Sequence, residues 1–137
     1  MAVVAELLRE EADKTLSFGD YTLEDKKKVE DFKHAGDLYK VKTYKTMTKF
    51  EKNGMLLYES LPGTSVVNFD ENEEGVSFKV EGYTDTQITI GMAENTEYDV
   101  CIKGEAIGTL KSNVSGKLTL SVDLTDGAET EIKVMNK

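Results

Sequence analysis

Apolar and polar residues alternate along most of the chain, most clearly after residue 63. Val66, Val67 and Phe69 lead into an acidic stretch from Asp70 to Gly75, and Val76, Phe78 and Val80 follow at every second position. The same spacing returns at Ile88, Ile90 and Met92, at Tyr98, Val100 and Ile102, at Ile107 and Leu110, at Leu118, Leu120 and Val122, and at Ile132 and Val134. A period of two places each set on one face of a strand. Seven such segments at roughly ten-residue intervals, divided by turn residues, predict an all-β fold: an antiparallel, immunoglobulin-like β-sandwich over 63–137.

The first 62 residues predict a more irregular β portion packed on that sandwich. Val3 to Leu8 suits an edge or swapped strand, and Gly19-Asp20 marks a turn or bulge. Leu38 to Phe50 reads as one long strand with Tyr39, Val41 and Thr43 on one face and a bulge before Met47. Residues 24–33 are the best helix candidate, although only Val29 and Phe32 are apolar there. Asn53-Gly54 predicts a two-residue type I′ hairpin, because both central positions need positive φ. That turn would set Phe50 opposite Leu57 and Lys49 opposite Tyr58. Leu61-Pro62-Gly63, with the only proline, marks the joint between 1–62 and 63–137. Nothing else resembles a flexible linker, so the two portions are expected to pack together, as one continuous domain or as two lobes.

Charge separates the two portions. Residues 1–62 carry 11 Lys/Arg against 12 Asp/Glu, and residues 63–137 carry 6 against 14. The overall net charge of −9 argues against non-specific nucleic-acid binding, which needs a basic footprint. Lys40, Lys42, Lys45, Lys49 and Lys52 do interleave with Tyr39, Tyr44 and Phe50. Lysines on an exposed strand face are also a guard against edge-to-edge aggregation. No stretch approaches the ~18 apolar residues of a membrane span, and Glu6 interrupts the apolar N-terminal run where a secretory signal would continue. The expectation is a cytoplasmic protein with no membrane association.

Candidate chemistry is sparse. His34 is the sole histidine and Cys101 the sole cysteine, so no internal disulfide forms and any histidine-based nucleophilic centre must use His34. Such a centre would need His34 in a concave pocket beside Cys101 or a carboxylate. One histidine and one cysteine do not close a structural zinc site. Asp70, Asn72, Glu74 and Glu81, with Gly75 between, nearly fit the spacing of a calcium loop. Their flanks read as strands rather than helices, which makes an acidic β-turn the expectation and places Glu81 too far from Asp70 to share an ion. Tyr39, Tyr44, Tyr58 and Tyr83 are the candidate platforms for stacking on a ligand such as a sugar ring. No cofactor is predicted.

Across nearly its whole length the chain resembles a small bacterial all-β family whose members are often labelled endosialidase. The resemblance rests on Thr15-Leu16-Ser17-Phe18-Gly19, Gly36-Asp37-Leu38-Tyr39-Lys40-Val41-Lys42-Thr43, Glu51-Lys52-Asn53-Gly54 and Tyr58-Glu59-Ser60-Leu61-Pro62-Gly63-Thr64. Sialidase chemistry grips the sugar carboxylate with several arginines, and Arg9 is the only arginine here, so no catalytic residue carries over. Residues 96–124, through Thr96-Glu97-Tyr98-Asp99-Val100, Ile107-Gly108-Thr109, Gly116-Lys117-Leu118 and Ser121-Val122-Asp123, also resemble the closing strands of small sandwich modules of bacterial polysaccharide-active proteins. The expected function is a non-catalytic protein-interaction or structural module that associates with itself as a homo-oligomer. A carbohydrate-binding module is the alternative.

Overall fold

The computed structural model describes residues 3–125 and 128–137. Among them are thirteen strands and no helix: β1 (Leu8–Glu10), β2 (Leu16–Phe18), β3 (Lys27–His34), β4 (Asp37–Tyr44), β5 (Met47–Lys52), β6 (Met55–Leu61), β7 (Ser65–Asn72), β8 (Gly75–Glu81), β9 (Thr86–Gly91), β10 (Glu97–Ile102), β11 (Glu105–Lys111), β12 (Lys117–Val122) and β13 (Thr130–Asn136). They form two antiparallel sheets packed face to face. One runs β1-β2-β7-β8-β13-β10-β11 and the other β12-β9-β6-β5-β4-β3.

The seven strands expected after residue 63 are β7 to β13. Five lie in the first sheet and two in the second. The N-terminal strands do not sit on top of this sandwich. They extend it in plane, with β3 to β6 continuing the second sheet beyond β9 and β1–β2 continuing the first beyond β7. Pro62 falls where the chain leaves one sheet for the other.

The core has two characters. At the β12 side it is mainly aliphatic, with Val100, Leu118, Leu120, Val122, Ile132 and Val134 around Tyr98, all buried as their alternation predicts. At the N-terminal side it is aromatic. Phe18 stacks on Phe50 at 4.0 Å between ring centroids, Phe69 stacks on Phe78 at 5.6 Å, and Tyr58 meets Phe78 edge-on at 5.5 Å. Edge-on and offset ring pairs add about 0.5–1.5 kcal/mol each beyond the area they bury. A chain of buried hydroxyls ties this region to the Pro62 joint. Tyr58 and Ser60 both reach Thr64 Oγ1, at 2.7 and 2.8 Å, and the Thr48 hydroxyl donates to the Thr64 carbonyl at 2.7 Å.

Four local expectations are corrected. Residues 27–34 are a strand, not part of a helix. A bulge between Val29 and Phe32, with Asp31 at φ +55°, brings both apolar side chains to one face at a helix-like spacing of three. The long segment 38–50 is split by a two-residue turn at Lys45-Thr46, which lacks the Gly, Asn or Pro that would announce it. The Asn53-Gly54 turn forms with φ of +51° and +80°, but Leu57 is an extra residue in the ladder. Phe50 therefore faces Tyr58 and Lys49 faces Glu59. The bulge lets the consecutive Leu57 and Tyr58 both be buried. Residues 3–7 are not a strand. Val4 is nonetheless fully buried, with its N–H donating to the Gly19 carbonyl at 3.1 Å.

Candidate functional site

The hairpin turns β3–β4, β5–β6 and β7–β8 all lie at one end of the sandwich, together with the β9–β10 and β11–β12 loops, as the antiparallel registers require. Two adjoining clefts open there. The smaller, about 160 Å³, is lined by His34, Asp37, Tyr39, Lys52, Asp70 and Glu71 among others. The larger, about 810 Å³, runs along β5–β6 to Met92, Tyr98 and Lys117. Lys52, Leu57 and Glu71 line both and form the wall between them.

Lys52 ends β5 on the inward side, and its Nζ lies 3.1 Å from Glu71 Oε1 on the opposite sheet and 3.6 Å from Asp37 Oδ2. Burial works against its ammonium charge, but the hydrogen bond and attraction from Glu71 outweigh it and push the Lys52 pKa up. Asn53 donates to Asp37 Oδ1 at 2.9 Å, and this bond, with help from Lys52, holds the Asp37 carboxyl below its ordinary range.

His34 is not a loop residue. It ends β3, with its side chain only 13% exposed, its Nδ1 2.5 Å from Glu10 Oε1 and its ring edge-on to Tyr39 at 5.7 Å. That hydrogen bond is the main cause that lowers the Glu10 pKa. The imidazole thus does meet a carboxylate in a concavity, as a histidine-based centre would require. The concavity holds only about five waters at ~30 Å³ each, below the ~300 Å³ of a typical ligand pocket. No Ser, Thr or Cys lines it. Cys101 lies on β10, five strands from β1 in its sheet, which at ~4.8 Å per strand puts it roughly 20 Å or more from His34.

The larger cleft is of ligand size but carries no selective sign of charge. Lys49, Lys52 and Lys117 are balanced by Glu51, Glu59 and Glu71, around apolar Met55, Leu56 and Met92. Gly91 lines it, at a position where a Cβ would collide with the Leu56 carbonyl.

No family model, curated protein or solved structure matches this chain.

The tyrosine set is divided. Tyr39 and Tyr58 are buried in the aromatic core. Desolvation raises the pKa of both phenols. Tyr44 is half-buried under Lys26, whose Nζ lies 5.9 Å from the ring centroid, and Tyr83 is exposed and packs edge-on against Tyr21 at 4.8 Å. Only Tyr44 and Tyr83 keep accessible faces. The calcium-loop residues are also separated. Asp70, Asn72 and Glu74 are exposed on the β7–β8 hairpin, whereas Glu81 is buried at the far end of β8 and accepts the Tyr21 hydroxyl at 2.6 Å. Among the described residues no three His, Cys, Asp or Glu side chains are grouped to hold a metal ion, and no helix is long and apolar enough to cross a membrane. On β4 and β5, Tyr39 and Phe50 point inward, as does Lys52 at the end of β5, whereas Lys40, Lys42 and Lys49 share the outer face with Tyr44, and Lys40 pairs across the ladder with Glu51.

The feature that strand counting did not single out is the flank where β11 and β12 end their sheets. Each has a neighbour on one side only. Along β12 the outward-facing Lys117, Thr119 and Ser121 are exposed while Leu118, Leu120 and Val122 are buried, with no bulge in its register. The signal was present as strict alternation. Edge position, however, depends on topology, which alternation does not encode.

Proposed function

We propose that the chain is a non-catalytic interaction module that assembles with copies of itself. The observation that carries this reading is the β11/β12 flank. Two strand edges end there with unpaired backbone groups, carrying only Glu105 and Lys111 on β11 and Lys117 on β12 as charges. Such an edge is a template for strand addition. The involvement of His34 with Glu10 and of Lys52 with Glu71 and Asp37 agrees with this view, since these groups hold strands together. A carbohydrate-binding module retains only Tyr44 and Tyr83 as stacking faces.

Sedimentation equilibrium over a rising concentration series tests the proposal. The expected result is a mass that climbs from 15.2 kDa toward twice that value. A mass that stays at the single-chain value at roughly millimolar chain, where contacts of a few kcal/mol register, would overturn it.

A further inference from the structure

We infer that two copies join through β12, antiparallel about a two-fold axis at Leu120, so that their six-stranded sheets become one continuous sheet. This rests on the self-association reading above and assigns its surface and register.

Three observations converge on it. The first is chemical symmetry. The run Lys117-Leu118-Thr119-Leu120-Ser121-Val122-Asp123 is symmetric about Leu120 in its apolar and hydroxyl positions and carries opposite charges at its two ends. Antiparallel pairing about Leu120 sets Lys117 against Asp123, Leu118 against Val122 and Thr119 against Ser121. Every apolar residue then meets an apolar one on the core face, every hydroxyl meets a hydroxyl on the outer face, and an opposite-charge pair closes each end. Lys117 and Asp123 are both exposed, and neither is in an ion pair among the described residues.

The second is the phase of the backbone. The Met92 N–H donates to the Gly116 carbonyl at 2.6 Å, and these two residues are opposite one another in the β9–β12 register. Hydrogen-bonded and non-hydrogen-bonded pairs alternate in an antiparallel ladder, so Leu118, Leu120 and Val122 turn their amides toward β9. The Leu124 N–H follows the same side, donating to Asp85 at 3.1 Å. The amides and carbonyls of Thr119 and Ser121 therefore lie on the free edge, whereas those of Lys117, on the same side, are taken by Asn113, whose N–H donates to the Lys117 carbonyl at 3.0 Å and whose Oδ1 accepts the Lys117 N–H at 3.0 Å. Thr119 and Ser121 are the residues that the two-fold register pairs with one another, so the groups to be satisfied face each other in phase, and Lys117 meets Asp123 through its side chain alone.

The third is the absence of a guard. β11, the other edge on this flank, is bulged at Ile107 and carries Gly108 at φ +131°, which bend it away from flat pairing. β3, at the opposite edge of the same sheet as β12, is bulged and has charged residues at Lys27, Lys28, Glu30, Asp31 and Lys33. β12 has no bulge, and from Leu118 to Val122 it carries no charge. Backbone pairing centred on Thr119, Leu120 and Ser121 is small, so the dimer is expected to be weak, with Kd roughly micromolar to millimolar.

Zero-length carbodiimide cross-linking with mass spectrometry, joined to sedimentation equilibrium, tests the assignment. Lys117 and Asp123 are six residues apart on an extended strand, about 20 Å, so a link between them can form only between chains. The expected results are a Lys117–Asp123 link in the dimer band and dimerisation weakened at least about tenfold by Lys117→Asp, which sets like charges at both ends. The double variant Lys117→Asp/Asp123→Lys should restore it. Thr119→Pro, which removes an outward N–H and leaves the bonds to β9, should also weaken dimerisation while thermal unfolding stays cooperative. A dimer that lacks this link and is indifferent to the charge exchange would overturn the β12 register while leaving self-association standing. A single-chain mass throughout would overturn both.

Discussion

The two flanks of the sandwich end their sheets in different ways. At the β1/β3 flank β1 is short, β3 is bulged, and both are laced with charge. Arg9 reaches Glu11 at 2.8 Å and Glu6 at 3.3 Å, Lys28 reaches Glu30 at 2.9 Å, and His34 ties β3 to Glu10 of β1 on the other sheet. The burial is thin, since only Val29, Phe32 and His34 of β3 are even half-buried. At the β11/β12 flank, β12 is straight and its inward face is fully part of the core. The β3 edge is closed by polar chemistry and a bulge, and the β12 edge is left as a regular ladder whose outward backbone groups beyond Lys117 are unpaired. Both belong to the same sheet, so the difference lies in the sequence of each edge rather than in the architecture.

The largest consequence concerns stability. Leu120→Ala should cost about 2–5 kcal/mol by emptying a core position, whereas Val29→Ala, on the half-exposed β3, should cost roughly 1 kcal/mol. Urea unfolding midpoints at matched slope measure both. Equal losses would mean that the β3 flank is as integral to the core as β12.

Acid separates the flanks next. Five carboxyls at the β1/β3 side are held below their ordinary values: Glu10 by His34, Glu11 by Ser17 and then Arg9, Asp13 by Thr15, Glu30 by Lys28, and Asp37 by Asn53. A carboxyl with a lowered folded-state pKa contributes its stabilisation above the ordinary value and loses it as pH falls through the lowered one. Glu10, Asp13 and Glu30 are exposed and Glu11 and Asp37 half-buried, so each contribution is small. As pH falls below 4.5 for the glutamates and 3.8 for the aspartates, amide exchange in β1 and β3 should accelerate first, once corrected for intrinsic rates. The β9-facing amides of Leu118, Leu120 and Val122 should remain protected. Simultaneous loss at both flanks would contradict the contrast.

The smallest effect is expected at Arg9. Its ion pairs are exposed, so Arg9→Gln should change stability by no more than about 0.5–1 kcal/mol. A larger loss in thermal unfolding would mean that the short bonded run Arg9, Glu11 and Ser17 acts as a unit.

How far the sequence carries this picture follows the same divide. β12 and its neighbours were readable because strict alternation survives wherever a strand is regular and half-buried. β3 was not, because its bulge sets Val29 and Phe32 three apart and imitates a helix. Lys45-Thr46 turns without a turn residue, and Leu57 slips the register of a hairpin whose Asn53-Gly54 turn was correctly foreseen. The aromatic half of the core was missed for a related reason. Phe18, Phe50, Tyr58 and Phe69 come from four strands brought together only by the sheet order. Two of the four candidate platform tyrosines, Tyr39 and Tyr58, belong to this interior group, because alternation fixes a face but not whether another sheet covers it. The openness of the β12 edge, on which the proposed function turns, was likewise invisible without the topology.

Amide hydrogen exchange of Thr119 and Ser121 as a function of chain concentration bears on this edge without perturbing it. Their N–H groups are unpaired in the single chain and bonded in the proposed dimer. Their exchange should slow progressively as concentration rises, while the unpaired amides of β3 exchange at a constant rate. Rapid exchange at Thr119 and Ser121 that is independent of concentration, in a sample shown to be associated, would contradict the account.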